Sequence, residues 1–182
     1  MSEKLNHMQE DQILLVDGYN VQNNWKEAGF LQPGELDFLR QQMATILSSC
    51  AAYWDIQCLL VFDAHHVPGN QGSVETISPN LQVLFSAEGQ TADSLIERLA
   101  ADFAEQDVAV SVCTSDWAEQ TIALTRGAAR ISARELLARV RQAKAEMDRH
   151  YTRYPLHWQR SWLEEALPEA TRRALRQIRD KK

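Results

Sequence analysis

Three apolar runs in this chain each end on an aspartate: QILLVD at Asp17, IQCLLVFD at Asp63 and VAVSVCTSD at Asp116. Short runs of Val, Ile and Leu without polar alternation are buried on both faces, as strands of a parallel sheet are. Between them lie stretches with apolar residues three and four apart. Leu36, Leu39, Met43, Ile46, Leu47, Cys50 and Trp54 predict a helix over about 35–53, behind Pro33-Gly34. Ala92, Leu95, Ile96, Leu99 and Phe103 predict a second, with Thr91 as its N-cap. Strands alternating with helices imply an α/β sandwich around a mostly parallel sheet, whose ligands bind beyond the carboxyl ends of the strands. That rule would carry the terminal acids to one edge.

The rest of the chain fits this frame. LQVLFS predicts another strand, ARI a last short one, and WAEQTIAL a short helix. Ser132 and Glu135 have capping-box spacing at the head of a helix that runs to about Tyr154, where Pro155 stops it. The residues between Asp17 and Pro33 read as a polar loop. Those from His65 to Pro79, with Pro68, Gly69, Asn70 and Gly72, read as an exposed, mobile loop. The resulting division is a polar N-terminal extension (1–11), one domain (12–154) and a basic helical tail (155–182) in which Trp158 and Trp162 pack. A length of 182 residues suits a single core, and 45% hydrophobic content excludes a disordered chain.

The opening MSEKLNHMQEDQ is too polar for a secretory signal, and no apolar run approaches the ~20 residues of a membrane span. Cys50, Cys58 and Cys113 lie inside apolar stretches without zinc-ligand spacing, as buried thiols of a cytoplasmic protein would. The net charge of -6 hides a strong asymmetry. Residues 1–125 hold 4 Lys and Arg against 18 Asp and Glu, a balance of -14; residues 126–182 hold 15 against 7, a balance of +8. An acidic body beside a basic third suits a polyanion docking next to a cation-binding centre, although a basic helix face can also be merely solvated.

The acids carry the chemistry. Beside Asp17, Asp63 and Asp116, Asp93 stands in the first turn of a predicted helix and Glu97 one turn later on the same face. An Asp after a strand also serves as a turn former or helix N-cap. Several carboxylates at one edge, however, repel each other unless a cation neutralises them. Oxygen donors without His or Cys suit Mg²⁺ or Mn²⁺, which activate water and stabilise charge on a phosphodiester. His65 and His66, adjacent in a Gly/Pro loop, read as loop residues rather than ligands. There is no GxxxxGK[ST], GxGxxG or GxSxG, which argues against P-loop, dinucleotide and serine-hydrolase chemistry.

LLVDGYN, LVFDAH, GQTADSLIE, VCTSDWAEQ and GAARISARELL occur in that order, and together they resemble the YacP-like NYN-domain family of the PIN-like nuclease superfamily. The resemblance covers about residues 12–150. It implies a PIN-like three-layer sandwich and a metal-dependent endoribonuclease, with some members acting on ribosome-bound messenger RNA. It also implies that Asp17 and Asp93 are the principal metal-binding catalytic acids, that Asp116 matches the acid of the TSD motif, and that Asn20 matches the Asn of DGYN. Asp63 and Glu97 fall within motifs as further candidate ligands. One departure is Gln90, where the family pattern leads to Glu; it lies outside the proposed ligand set.

For the substrate, Arg126, Arg130, Arg134, Arg141 and Lys144 are the candidate RNA-docking cations, and Tyr19 is a candidate base-stacking ring. On the predicted helix, Arg134 and Arg141 share a face opposite Leu136, Val140 and Met147. The expected partners are single-stranded or messenger RNA and the ribosome, with no membrane and the oligomeric state open. Two rival readings remain: a non-catalytic RNA- or ribosome-binding module that keeps the acidic cleft, and an acid-pocket phosphohydrolase acting on a small molecule.

Overall fold

The computed structural model describes residues 12–64, 71–114 and 128–153, with side chains through Arg149. The expected α/β sandwich is present. Strands β1 (Gln12–Asp17), β2 (Gln57–Phe62), β3 (Ser73–Ser78), β4 (Leu81–Phe85), β5 (Ala109–Cys113) and β6 (Ala129–Ile131) form one sheet in the order β3-β4-β2-β1-β5-β6. Every neighbouring pair is parallel except β3–β4. The helices are α1 (Gly18–Glu27), α2 (Leu36–Trp54), α3 (Ala92–Ala104) and α4 (Ala133–Arg153). The chain divides into two compact units after Ala143; the sheet lies in the first, and the second holds the last turns of α4.

Side-chain alternation sorts the strands into two faces. Leu15, Leu59, Val61, Leu84, Val110 and Val112 turn toward α3, and they form one buried cluster with Ala92, Leu95, Ile96 and Ala100. The opposite face presents Leu14, Val16, Cys58, Leu60, Phe62, Leu81 and Cys113, all nearly inaccessible. Met43 and Leu47 of α2 and Val21 and Trp25 of α1 are likewise fully buried. The Trp25 indole N–H donates to the Ala133 carbonyl at 3.2 Å, which ties α1 to the head of α4.

Two expectations are corrected. Residues 18–27 are not a loop but helix α1. Its sequence is Asn-rich, so its stability comes from the Asp17 cap and from burial of Val21 and Trp25, one turn apart. The stretch 65–79 likewise contains a strand, β3, antiparallel to β4 and kinked between Thr76 and Ser78. An edge strand exposed along nearly its whole length carries no burial alternation, and so it left no period-2 signal. The short helix expected over WAEQTIAL and the tail beyond 154 lie outside the described residues. The three cysteines are buried and free, as expected.

Candidate active site

Parallel pairing sets the heights of the strand ends. Asp17 closes β1 level with Val61 of β2, so Asp63 stands two residues higher, just past the end of its strand. Val16 is level with Cys113, which puts Thr114, fully buried, at the height of Asp17 on the other side. Helix α3 starts after β4 has ended at this same edge, and Ala92 is buried in the cluster that holds Leu15 and Val61. Asp93, the next residue, therefore sits in the opening turn of α3 at the carboxyl edge of the sheet. It is exposed, and Glu97 behind it is half-buried.

Asp17 is 8% exposed and caps α1, its Oδ1 accepting the Asn20 backbone N–H at 3.1 Å. Asn20 thus meets Asp17 through its backbone and is itself half-buried. Asp63 is half-buried; its Oδ1 accepts from the Ser86 hydroxyl at 3.3 Å, while that same Oγ accepts the Ala64 N–H at 2.9 Å. Ser86 also donates its backbone N–H to the Phe62 carbonyl at 3.0 Å, extending the β2–β4 ladder by one step. This fully buried serine was not singled out from sequence, although it is the last letter of LQVLFS, at the end of a strand beside an acid-terminated one.

Burial pushes the Cys113 thiol far up, and neighbouring Cys58 and Asp17 add to the effect, so it stays protonated. A neutral thiol does not compete with the carboxylates for a cation. The donors at this edge are accordingly hard oxygens, the set that suits Mg²⁺ or Mn²⁺. Among the described residues no three His, Cys, Asp or Glu side chains are grouped to hold an ion. Asp116, the third expected ligand, lies outside the described residues, as does Arg126.

The expected substrate contacts fall differently. Tyr19 is half-buried rather than exposed, its ring edge-on to Phe62 at 5.1 Å, because α1 turns it back across the strand end. Arg130, Arg134 and Arg141 are exposed, with Leu136 and Val140 buried behind them. Lys144 is exposed on the later turns of α4, in the second unit. The Arg141 guanidinium rests over the Phe30 ring at 5.5 Å, so part of its work is packing.

The fold, with acids following the carboxyl ends of its parallel strands, matches a known family. The family model of the YacP-like NYN domain matches residues 14–180, beyond the last of the sequence motifs, and the chain belongs to that nuclease-type family. Protein YacP of Bacillus subtilis is 34% identical over 137 residues, 75% of this chain and 79% of that protein. The crystal structure of Rae1 (YacP) from Bacillus subtilis is 29% identical with a TM-score of 0.66, covering 92% of this chain and 94% of that one. A single-residue variant of it matches at 28% identity and a TM-score of 0.64, covering 91% and 99%.

Proposed function

We propose that this chain is a divalent-metal-dependent endoribonuclease that cleaves RNA phosphodiester bonds at the carboxyl edge of its sheet. The observation that carries the reading is the placement of Asp17, Asp63 and Asp93 at that one edge, in a member of a nuclease-type family. Asp17 and Asp93, together with Asp116, would hold Mg²⁺ or Mn²⁺, which when bound would activate water and offset charge on the phosphate. Asp63 and Glu97 would tune that charge. Asn20 adds no repulsion and would orient a water or a phosphate oxygen. The expected substrate is single-stranded or messenger RNA, and the ribosome is the proposed setting that the family resemblance implies. Three buried free thiols suit a cytoplasmic protein. Among the described residues no helix is long and apolar enough to cross a membrane.

The test is cleavage of RNA, free and ribosome-bound, by purified protein with Mg²⁺, with Mn²⁺ and with chelator. Metal-dependent internal cuts that vanish in Asp17→Asn and Asp93→Asn support the reading. Tight RNA or ribosome binding without cleavage under every condition would instead establish the non-catalytic module.

A further inference from the structure

We propose that Arg40 is a docking residue for the substrate, holding a backbone phosphate of the RNA as the strand crosses the carboxyl edge; this rests on the endoribonuclease reading of that edge. The acidic body has only 4 basic residues in 1–125, and Arg40 is one of them. It stands on the first turns of α2, whose start lies at the carboxyl edge because its end feeds β2 at the other.

The side chain is held in an unusual way. Its guanidinium lies 5.4 Å from the centre of the Phe85 ring and 5.7 Å from that of Phe62. Those two rings stack on each other at 5.8 Å with an interplanar angle of 24°. Tyr19 closes the platform edge-on. Each ring neighbours the acid edge in sequence: Tyr19 follows Asp17 by two residues, Phe62 precedes Asp63, and Phe85 precedes Ser86. The platform therefore presents a cation on the opposite side of the strand ends from the α3 face, where Asp17 and Asp93 are. An extended polyanion crossing the edge would meet both.

Arg40 also has the accessibility this role needs. Its side chain is 26% exposed, partly packed and still reached by water. The carboxylate it pairs with, Asp37, lies one turn back on α2 and is 77% exposed. An exposed ion pair of this kind is a weak tie that a phosphate displaces, because the planar guanidinium takes two phosphate oxygens at once. Stacking fixes the fork beforehand and lowers the entropic cost of that contact. If Arg40 only glued α2 to the sheet, its loss would change stability and leave RNA affinity and its salt dependence untouched.

The experiment measures affinity for a short unstructured single-stranded RNA at several salt concentrations, with Ca²⁺ in place of the catalytic metal. The proteins compared are wild type, Arg40→Gln and Lys26→Gln, Lys26 being an exposed cation on the last turn of α1. Arg40→Gln should lower the logarithmic salt slope by roughly 0.7, one phosphate contact on a single strand, and in cleavage assays raise KM severalfold with kcat held. Lys26→Gln should keep the wild-type slope. Equal slopes for wild type and Arg40→Gln overturn the inference, as does an equal drop in Lys26→Gln. If Arg40→Gln does not fold, the Arg40 Nε–H resonance of the wild type decides: a shift on RNA titration supports the contact, and a static signal while others move refutes it. A wild type that neither binds nor cleaves RNA would overturn the endoribonuclease reading itself, a result distinct from equal slopes in an active enzyme.

Discussion

The two faces of this sheet are built from the same strands, yet they end differently. On the α3 face the buried side chains are aliphatic, Leu15, Leu59, Val61, Leu84, Val110 and Val112, and the alternation of β1 continues from Leu15 to Asp17. On the α1/α2 face the core is larger and softer, with Trp25, Met43, Leu47 and Phe62, and it ends in stacked Phe62 and Phe85 beneath the Arg40 cation. Period-2 alternation thus gives one sheet edge two chemically different surfaces, one acidic and one aromatic with a guanidinium over it. The contrast is consistent with a reaction in which metal and phosphate must meet while the protein supplies opposite charges to each.

The largest expected effect breaks the acid side alone. Asp17→Asn should reduce metal-dependent RNA cleavage by more than about a hundredfold, by weakening the proposed cation site. Asn caps a helix about as well as Asp, so the melting temperature should hardly move. Asp17→Ala, which also removes the cap on Asn20, should cost about 1 kcal/mol more in urea unfolding. If the two variants lose activity and stability in parallel, Asp17 is a cap and the acid side has no catalytic meaning.

Next comes the aromatic side. A Cβ built on Gly18 would lie 2.4 Å from the Phe62 ring, and that ring is fully buried between Tyr19 and Phe85. Gly18→Ala should therefore destabilise the fold by roughly 1–3 kcal/mol despite the better helix propensity of Ala. Chemical denaturation checks this, and a neutral result would mean that the platform is loosely held. Ser86→Ala probes the seam between the sides, since its hydroxyl serves both Ala64 and Asp63. Loss of these two hydrogen bonds should cost about 1–2 kcal/mol and lower cleavage without abolishing it. Unchanged activity would remove Asp63 from the working set.

Much of this was legible in the chain because burial on both faces writes itself plainly. QILLVD, LLVF, LQVLF and AVSVC could be read as strands, and α2, α3 and the Ser132–Glu135 box followed from spacing and caps. Where tertiary packing supplies the stability, the local pattern was silent. Helix α1 depends on one cap and on the burial of Val21 and Trp25, and β3 on an edge that leaves Val74 62% exposed. The site was legible as a set of strand-end acids but not as a geometry. Arg40 carries no signal in its own neighbourhood of residues, because the rings that hold it come from two other strands, 22 and 45 positions away along the numbering of Phe62 and Phe85.

The smallest effect tests how firmly the aromatic side is anchored. At the head of α4 the Glu135 carboxylate accepts from the Ser132 hydroxyl at 2.6 Å and the Ser132 N–H at 2.7 Å, while the Glu135 N–H returns a bond to Ser132 Oγ at 3.2 Å. The helix so capped begins at Ala133, whose carbonyl receives the Trp25 indole, so the box helps hold α1 under the platform. Those bonds from Ser132 hold the Glu135 carboxyl below its ordinary 4.5, the hydroxyl contributing most. A carboxyl whose folded pKa is depressed contributes stability that is fully present above its unfolded value and is lost as pH falls through the folded one. Ser132→Ala should therefore cost about 1 kcal/mol at neutral pH. The gap to wild type should narrow below about pH 4.5 as Glu135 becomes protonated in both. Because Glu135 is exposed, the effect will be modest, and melting curves at several pH values are needed to see it. A gap that stays constant down to acid pH would show that Ser132 acts through its own cap on the Glu135 N–H, with the charge of Glu135 contributing nothing.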